Sequence, residues 1–151
     1  MTAFLKARTL LFAFSLLGLS GCLTYQSSWE QGASLKPVSP VEGRWKGTWL
    51  SGANGHTGSL RAVATHLNGD IYRFQIGATF WKIIRASYDV NFTVLPDGDN
   101  HTLTGEQTLS GLMGGLYTYE GRIEDGNFTA SYKSRLDHGT FRMRKVADRV
   151  W

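Results

Sequence analysis

Residues Tyr72-Arg-Phe74-Gln-Ile76-Gly-Ala78-Thr-Phe80 alternate without a break between apolar side chains and polar or small ones. A period of two is that of a β-strand, whose successive side chains point to opposite faces. Tyr72, Phe74, Ile76, Ala78 and Phe80 therefore share a dry face, and Arg73, Gln75, Gly77 and Thr79 a wet one. The pattern continues on both sides, through Leu60, Ala62, Ala64 and His66 before it and through Tyr88, Val90, Phe92 and Val94 after it. Further out the dry face reads Trp45 and Trp49; then Leu103 and Leu109; Tyr117, Tyr119 and Ile123; Phe128, Ala130 and Tyr132; and Phe141 and Met143.

The interruptions carry turn chemistry: Asn68-Gly-Asp70, Pro96-Asp-Gly-Asp-Asn100, Glu124-Asp-Gly-Asn127 and Asp137-His-Gly139. Asn-Gly and Asp-Gly between alternating runs mark β-hairpins. They divide residues 41–147 into about eight short strands, with 148–151 as a tail. No amphipathic helix stands out; residues 81–86 are the one candidate for a helical turn and read equally well as a strand bend. The expected class is all-β. An even number of hairpin-linked strands with one aromatic face closes naturally into an eight-stranded antiparallel up-and-down barrel, which removes exposed edges. A two-sheet β-sandwich fits the pattern nearly as well. A membrane-spanning barrel does not, because the aromatics fall in mid-strand instead of forming two girdles and the last residues, 147–151, do not alternate.

Composition agrees. The chain has 151 residues, 42% hydrophobic and 13% aromatic, with 18 Gly, 3 Pro and one Cys. That length accommodates one domain. The aromatic content excludes a disordered chain, and a lone cysteine excludes an internal disulfide framework.

The first 21 residues differ from the rest. Lys6 and Arg8 precede the apolar run Leu10-Leu-Phe-Ala-Phe-Ser-Leu-Leu-Gly-Leu19, a signal-peptide pattern too short for a mature membrane span. The run ends in Leu19-Ser20-Gly21-Cys22, which resembles the lipobox of bacterial lipoproteins. That resemblance implies cleavage after Gly21, a diacylglyceryl thioether on Cys22 and attachment to a membrane of the cell envelope. Leu23, in place of an aspartate, implies outer-membrane sorting with the protein facing the periplasm. Residues 22–40 show no periodicity and end in Pro37 and Pro40, which reads as a flexible tether. Removing residues 1–21 leaves 14 basic and 12 acidic residues, net +2 in place of +4. So small a charge gives no case for nucleic-acid binding; the Arg142-Met-Arg144-Lys145 run reads as the wet side of a strand.

Gly43-Arg-Trp45 in the first strand, with Arg142 and Arg144 in the last, is similar to the lipocalin and avidin-like (calycin) arrangement. That resemblance implies a tryptophan closing one barrel end beneath a cation from the final strand.

Motifs for chemistry are sparse. His56, His66, His101 and His138 show no ligand spacing, so no metal is expected, nor any cofactor. Gly-x-Ser-x-Gly is absent, and Asp137-His138 reads as a turn. Asp97 and Asp99 lack the glycine offset and distant glutamate of a calcium loop. Gly52 to Gly58 precedes a strand, not the helix N-terminus of a phosphate loop. No catalytic residues, and no enzyme, are expected. Leu109-Ser-Gly-Leu-Met-Gly-Gly-Leu116 is an apolar loop; it folds over a barrel mouth, touches a partner or membrane, or completes the core.

Two functions remain. In one, the anchored barrel binds a small apolar or amphipathic ligand lined by Trp45, Trp49, His66, Tyr88, Tyr117 and Tyr119. In the other, a solid-core barrel serves as an interaction or structural module of the envelope, with an envelope protein as its partner. Interior volume separates them, because eight strands hold either packed side chains or one small ligand.

Overall fold

A computed structural model of the chain describes residues 25–34, 36–110 and 115–147. Eight strands follow one another: β1 (Gly43–Ser51), β2 (Thr57–Asn68), β3 (Ile71–Phe80), β4 (Ile84–Asp97), β5 (Asn100–Leu109), β6 (Gly115–Glu124), β7 (Asn127–Lys133) and β8 (His138–Lys145). Each pairs antiparallel with the next, and β8 returns to β1 from Trp45↔Lys145 to Ser51↔Gly139. This is the closed up-and-down barrel; the sandwich alternative is not formed.

Strict meander order gives the barrel two unlike ends. At the turn end, residues 69–70, 98–99 and 125–126 connect the strands tightly, with Gly69, Gly98 and Gly126 at positive φ, as such hairpins require. At the loop end lie the connections 52–56, 81–83 and 134–137, with the end of β5 and the start of β6.

Inside, aromatic rings interlock. Phe74, Phe92, Phe128 and Tyr119 meet at centroid distances of 5.0–6.2 Å, close to the preferred spacing of edge-to-face pairs. Trp45 is fully buried toward the turn end, donates its indole N–H to the Val41 carbonyl at 3.0 Å and packs on Phe128. The cation above it is Lys145, whose Nζ lies 5.7 Å from the Trp45 ring. Arg142 and Arg144 project outward instead. Period two requires this, because Phe141 and Met143 take the inward positions between them.

The outer wall is polar along its length, with Lys46, Arg61, Arg73, Asp89, Glu106 and Glu120 exposed on successive strands. Charge in mid-strand is costly against lipid, so the wall faces water.

The expected tether is structured in part. Residues 25–31 form a short helix lying on the wall. Trp29 sits between the guanidinium groups of Arg44 and Arg61, at 5.2 and 5.1 Å, and the Tyr25 ring covers Gly77, where a Cβ would approach it to 2.5 Å. Seven residues are too few for a helix to persist unaided; this packing holds it.

Candidate functional site

The inward residues nearest the loop end border a small cavity of about 50 Å³ with several hydroxyls on it. Its lining includes Trp49 from β1, Phe80 from β3, Tyr88 from β4, Tyr117 and Tyr119 from β6, and Tyr132 from β7. Trp49 is fixed by donating its indole N–H to the Thr79 carbonyl at 3.1 Å and by a tilted ring contact with Phe80 at 4.8 Å. Gly58 leaves the space its ring occupies.

Two hydrogen-bonded sets order the hydroxyls. The Tyr88 and Tyr119 hydroxyls are paired with each other. Burial pushes the Tyr88 phenol well above its ordinary value and that of Tyr119 up to about 12. On the opposite side the Asp137 carboxylate accepts from Ser51 Oγ at 2.6 Å, Tyr132 Oη at 2.9 Å and the His138 backbone N–H at 2.8 Å. Burial first, and donation to Asp137 second, raise the Tyr132 phenol. All three phenols are neutral donors at ordinary pH.

Ser51, Asp137 and His138 are neighbours without the geometry of a hydrolytic triad. The serine hydroxyl is donated to the carboxylate itself, and His138 contributes its backbone amide where a triad needs the imidazole between them. Among the described residues no three His, Cys, Asp or Glu side chains gather as a metal site.

Of the six expected ligand-lining residues, the cavity brings together Trp49, Tyr88, Tyr117 and Tyr119. Trp45 lies deeper, below Lys145. His66 corrects the expectation: it has the inward parity of β2 but lies past the turn end of the barrel, exposed, with Nε2 2.8 Å from the Gly69 carbonyl and its ring on Tyr72 at 4.8 Å. Phe80, Tyr132 and Asp137 were not singled out. The first two carry a readable signal, since a meander places the dry-face residues flanking every second connection around one mouth. Cys22 and the loop tip Leu112-Met113 lie outside the described residues.

A second concavity, about 390 Å³, lies outside the barrel between the helix and the wall. Tyr25 and Gln26 form one side, and Lys46, Arg61, Arg85 and Ser87 stand on the other. It is lined by cations, where the interior cavity is lined mainly by aromatic rings.

Compared with known proteins, the chain matches no family model, no curated protein and no solved structure.

Proposed function

We propose that this chain is a membrane-anchored lipoprotein of the bacterial envelope whose filled β-barrel acts through its surface, as an interaction or structural module. One observation carries the module reading: the cavity among the inward residues is about 50 Å³, far below the ~300 Å³ at which small-molecule pockets begin. Aromatic side chains occupy the space that a ligand would need. The anchoring rests on Leu19-Ser20-Gly21-Cys22 after its apolar run, and Leu23 favours the outer membrane, facing the periplasm.

A binding barrel for a small amphipathic ligand is the second reading. It is favoured by the convergence of Trp49, Tyr88, Tyr117 and Tyr119 on one void beside Leu109, where the apolar 109–116 loop begins. No catalytic role is proposed for these groups.

Cell fractionation of Cys22→Ala tests the anchoring. The variant is expected in the soluble fraction while the parent sediments with membranes; a variant that still sediments contradicts the lipobox reading.

A further inference from the structure

We propose that the loop end of the barrel is a lipid-docking surface, seated on the same membrane that holds the acyl chains of Cys22. The inference rests on the anchoring proposed above.

The position of the chain's entry into the barrel comes first. Cys22 precedes Tyr25 by three residues, a reach of at most about 11 Å in fully extended chain. Tyr25 lies over Gly77 of β3, three residues before Phe80 and the 81–83 connection, and the docked helix fixes it there. An acylated Cys22 therefore cannot lift the barrel clear of the surface. It holds the wall around Gly77 and Arg85, and the adjoining loop end, close to the lipid interface.

That end has the matching chemistry. Trp81 and Ile83 are 66% and 82% exposed at the β3–β4 turn, Leu116 is exposed at the start of β6, and Leu136 is exposed in the β7–β8 connection across the mouth. Trp81 and Ile83 together at one tip form an apolar patch of the kind that marks an interaction site, whereas Val38, Leu67 and Leu95, exposed toward the turn end, stand on three separate segments. Trp81 and Lys82 both have positive φ, 47° and 65°, with Ile83 N–H bonded to the Phe80 carbonyl. Asn-Gly relieves strain in such a turn; here the strain is retained and an indole is held at the tip.

Charge separates the two ends. Lys82, Arg85 and Arg135 stand at the loop end, where the one acid in a connection, Asp137, accepts from the neutral hydroxyls of Ser51 and Tyr132 and keeps its charge, so that the cations remain in excess. Arg85 also borders the cationic groove beside Tyr25, within reach of headgroup phosphates. The turn end carries Asp70, Asp97, Asp99, Glu124 and Asp125, of which Asp97 and Glu124 pair with Arg122 at 2.6 and 3.8 Å, leaving the acids in excess. An anionic lipid surface attracts the first end and repels the second, while aromatic and aliphatic side chains insert at the interface.

The test uses the acylated full-length mature protein in vesicles of phosphatidylethanolamine and phosphatidylglycerol, with a polarity-sensitive dye on Ile83→Cys or Asp99→Cys; acylation blocks Cys22. Flotation of the same samples reports anchoring. The expected result is a floating protein whose dye at 83 is blue-shifted and shielded from an aqueous quencher while the dye at 99 remains water-like. A floating protein with equal quenching at both sites overturns the docking inference alone; a protein that does not float, with an unmodified Cys22, overturns both. Shielding at 83 without vesicles means that a second copy or another protein covers the end, and overturns the lipid assignment. In the unacylated Cys22→Ser chain, Trp81→Ser with Ile83→Ser is expected to weaken vesicle binding at least about tenfold. Leu95→Ser, at the other end, is expected to leave it unchanged; equal losses for the two overturn the assignment of the surface.

Discussion

Lys145 holds its ammonium 5.7 Å from the Trp45 ring while donating to the carbonyls of Ser39 at 3.3 Å and Pro40 at 2.7 Å. One side chain thus ties the last strand, the segment before β1 and the buried tryptophan together. Lys145→Met is expected to cost about 1–2 kcal/mol, the sum of a partly shielded cation–π contact and hydrogen bonds to neutral carbonyls. Arg142→Gln and Arg144→Gln, both outward, are expected to fall within about 0.5 kcal/mol of the parent. Urea midpoints of the three variants make the comparison.

The Asp137 carboxylate is the shared acceptor of the loop end. Asp137→Ala strands the hydroxyl of Ser51, which is 2% exposed, and that of Tyr132, and is expected to cost about 2–3 kcal/mol. Tyr132→Phe removes one donor and leaves Ser51 satisfied, so it is expected to cost at most about 1 kcal/mol. Equal losses in denaturant titration would mean that the carboxylate does not organise both hydroxyls.

Buried phenols make the fold sensitive to alkali. Tyr88, Tyr119 and Tyr132 have folded-state values above the ordinary 10.0, that of Tyr119 about 12. The folded state then binds more protons than the unfolded one between these values, so stability is fully present below pH 10 and falls as pH rises toward 12. Each such group contributes a slope of up to about 1.4 kcal/mol per pH unit. Melting temperatures measured from pH 8 to 12 are expected to be flat at first and then to drop, with phenolate absorbance of these three rings appearing together with unfolding.

The β3–β4 turn sets stability against its exposed indole. A residue other than glycine in the left-handed region costs about 1–2 kcal/mol, and Trp81 and Lys82 both sit there. Replacing them by Asn and Gly is expected to raise stability by about 1–2 kcal/mol, measured by thermal unfolding. The same variant is expected to bind anionic vesicles more weakly.

Much of the architecture was legible because one rule governs it. Asn68-Gly69, Asp97-Gly98 and Asp125-Gly126 close the hairpins where the pattern places them, and the dry face from Trp45 to Met143 becomes the core almost residue for residue. The failures lie where that rule stops. Parity carries His66 inward but does not say that the barrel has ended. Trp81-Lys82 does not look like a left-handed turn, since neither residue favours positive φ. The 25–31 helix shows only Tyr25 and Trp29 four residues apart, too short a repeat to register, and its stability comes from Arg44, Arg61 and Gly77, distant in sequence. The cavity was half legible: residue type and parity point to its tyrosines, while its small volume depends on how the rings interlock.

Native mass spectrometry of the protein extracted from its own membrane tests the central claim most directly. A filled, anchored barrel gives a single species that begins at Cys22, carries the mass of its acyl chains and holds no other molecule. A chain that retains residues 1–21 with an unmodified cysteine, or one that holds a small molecule in stoichiometric amount, contradicts it.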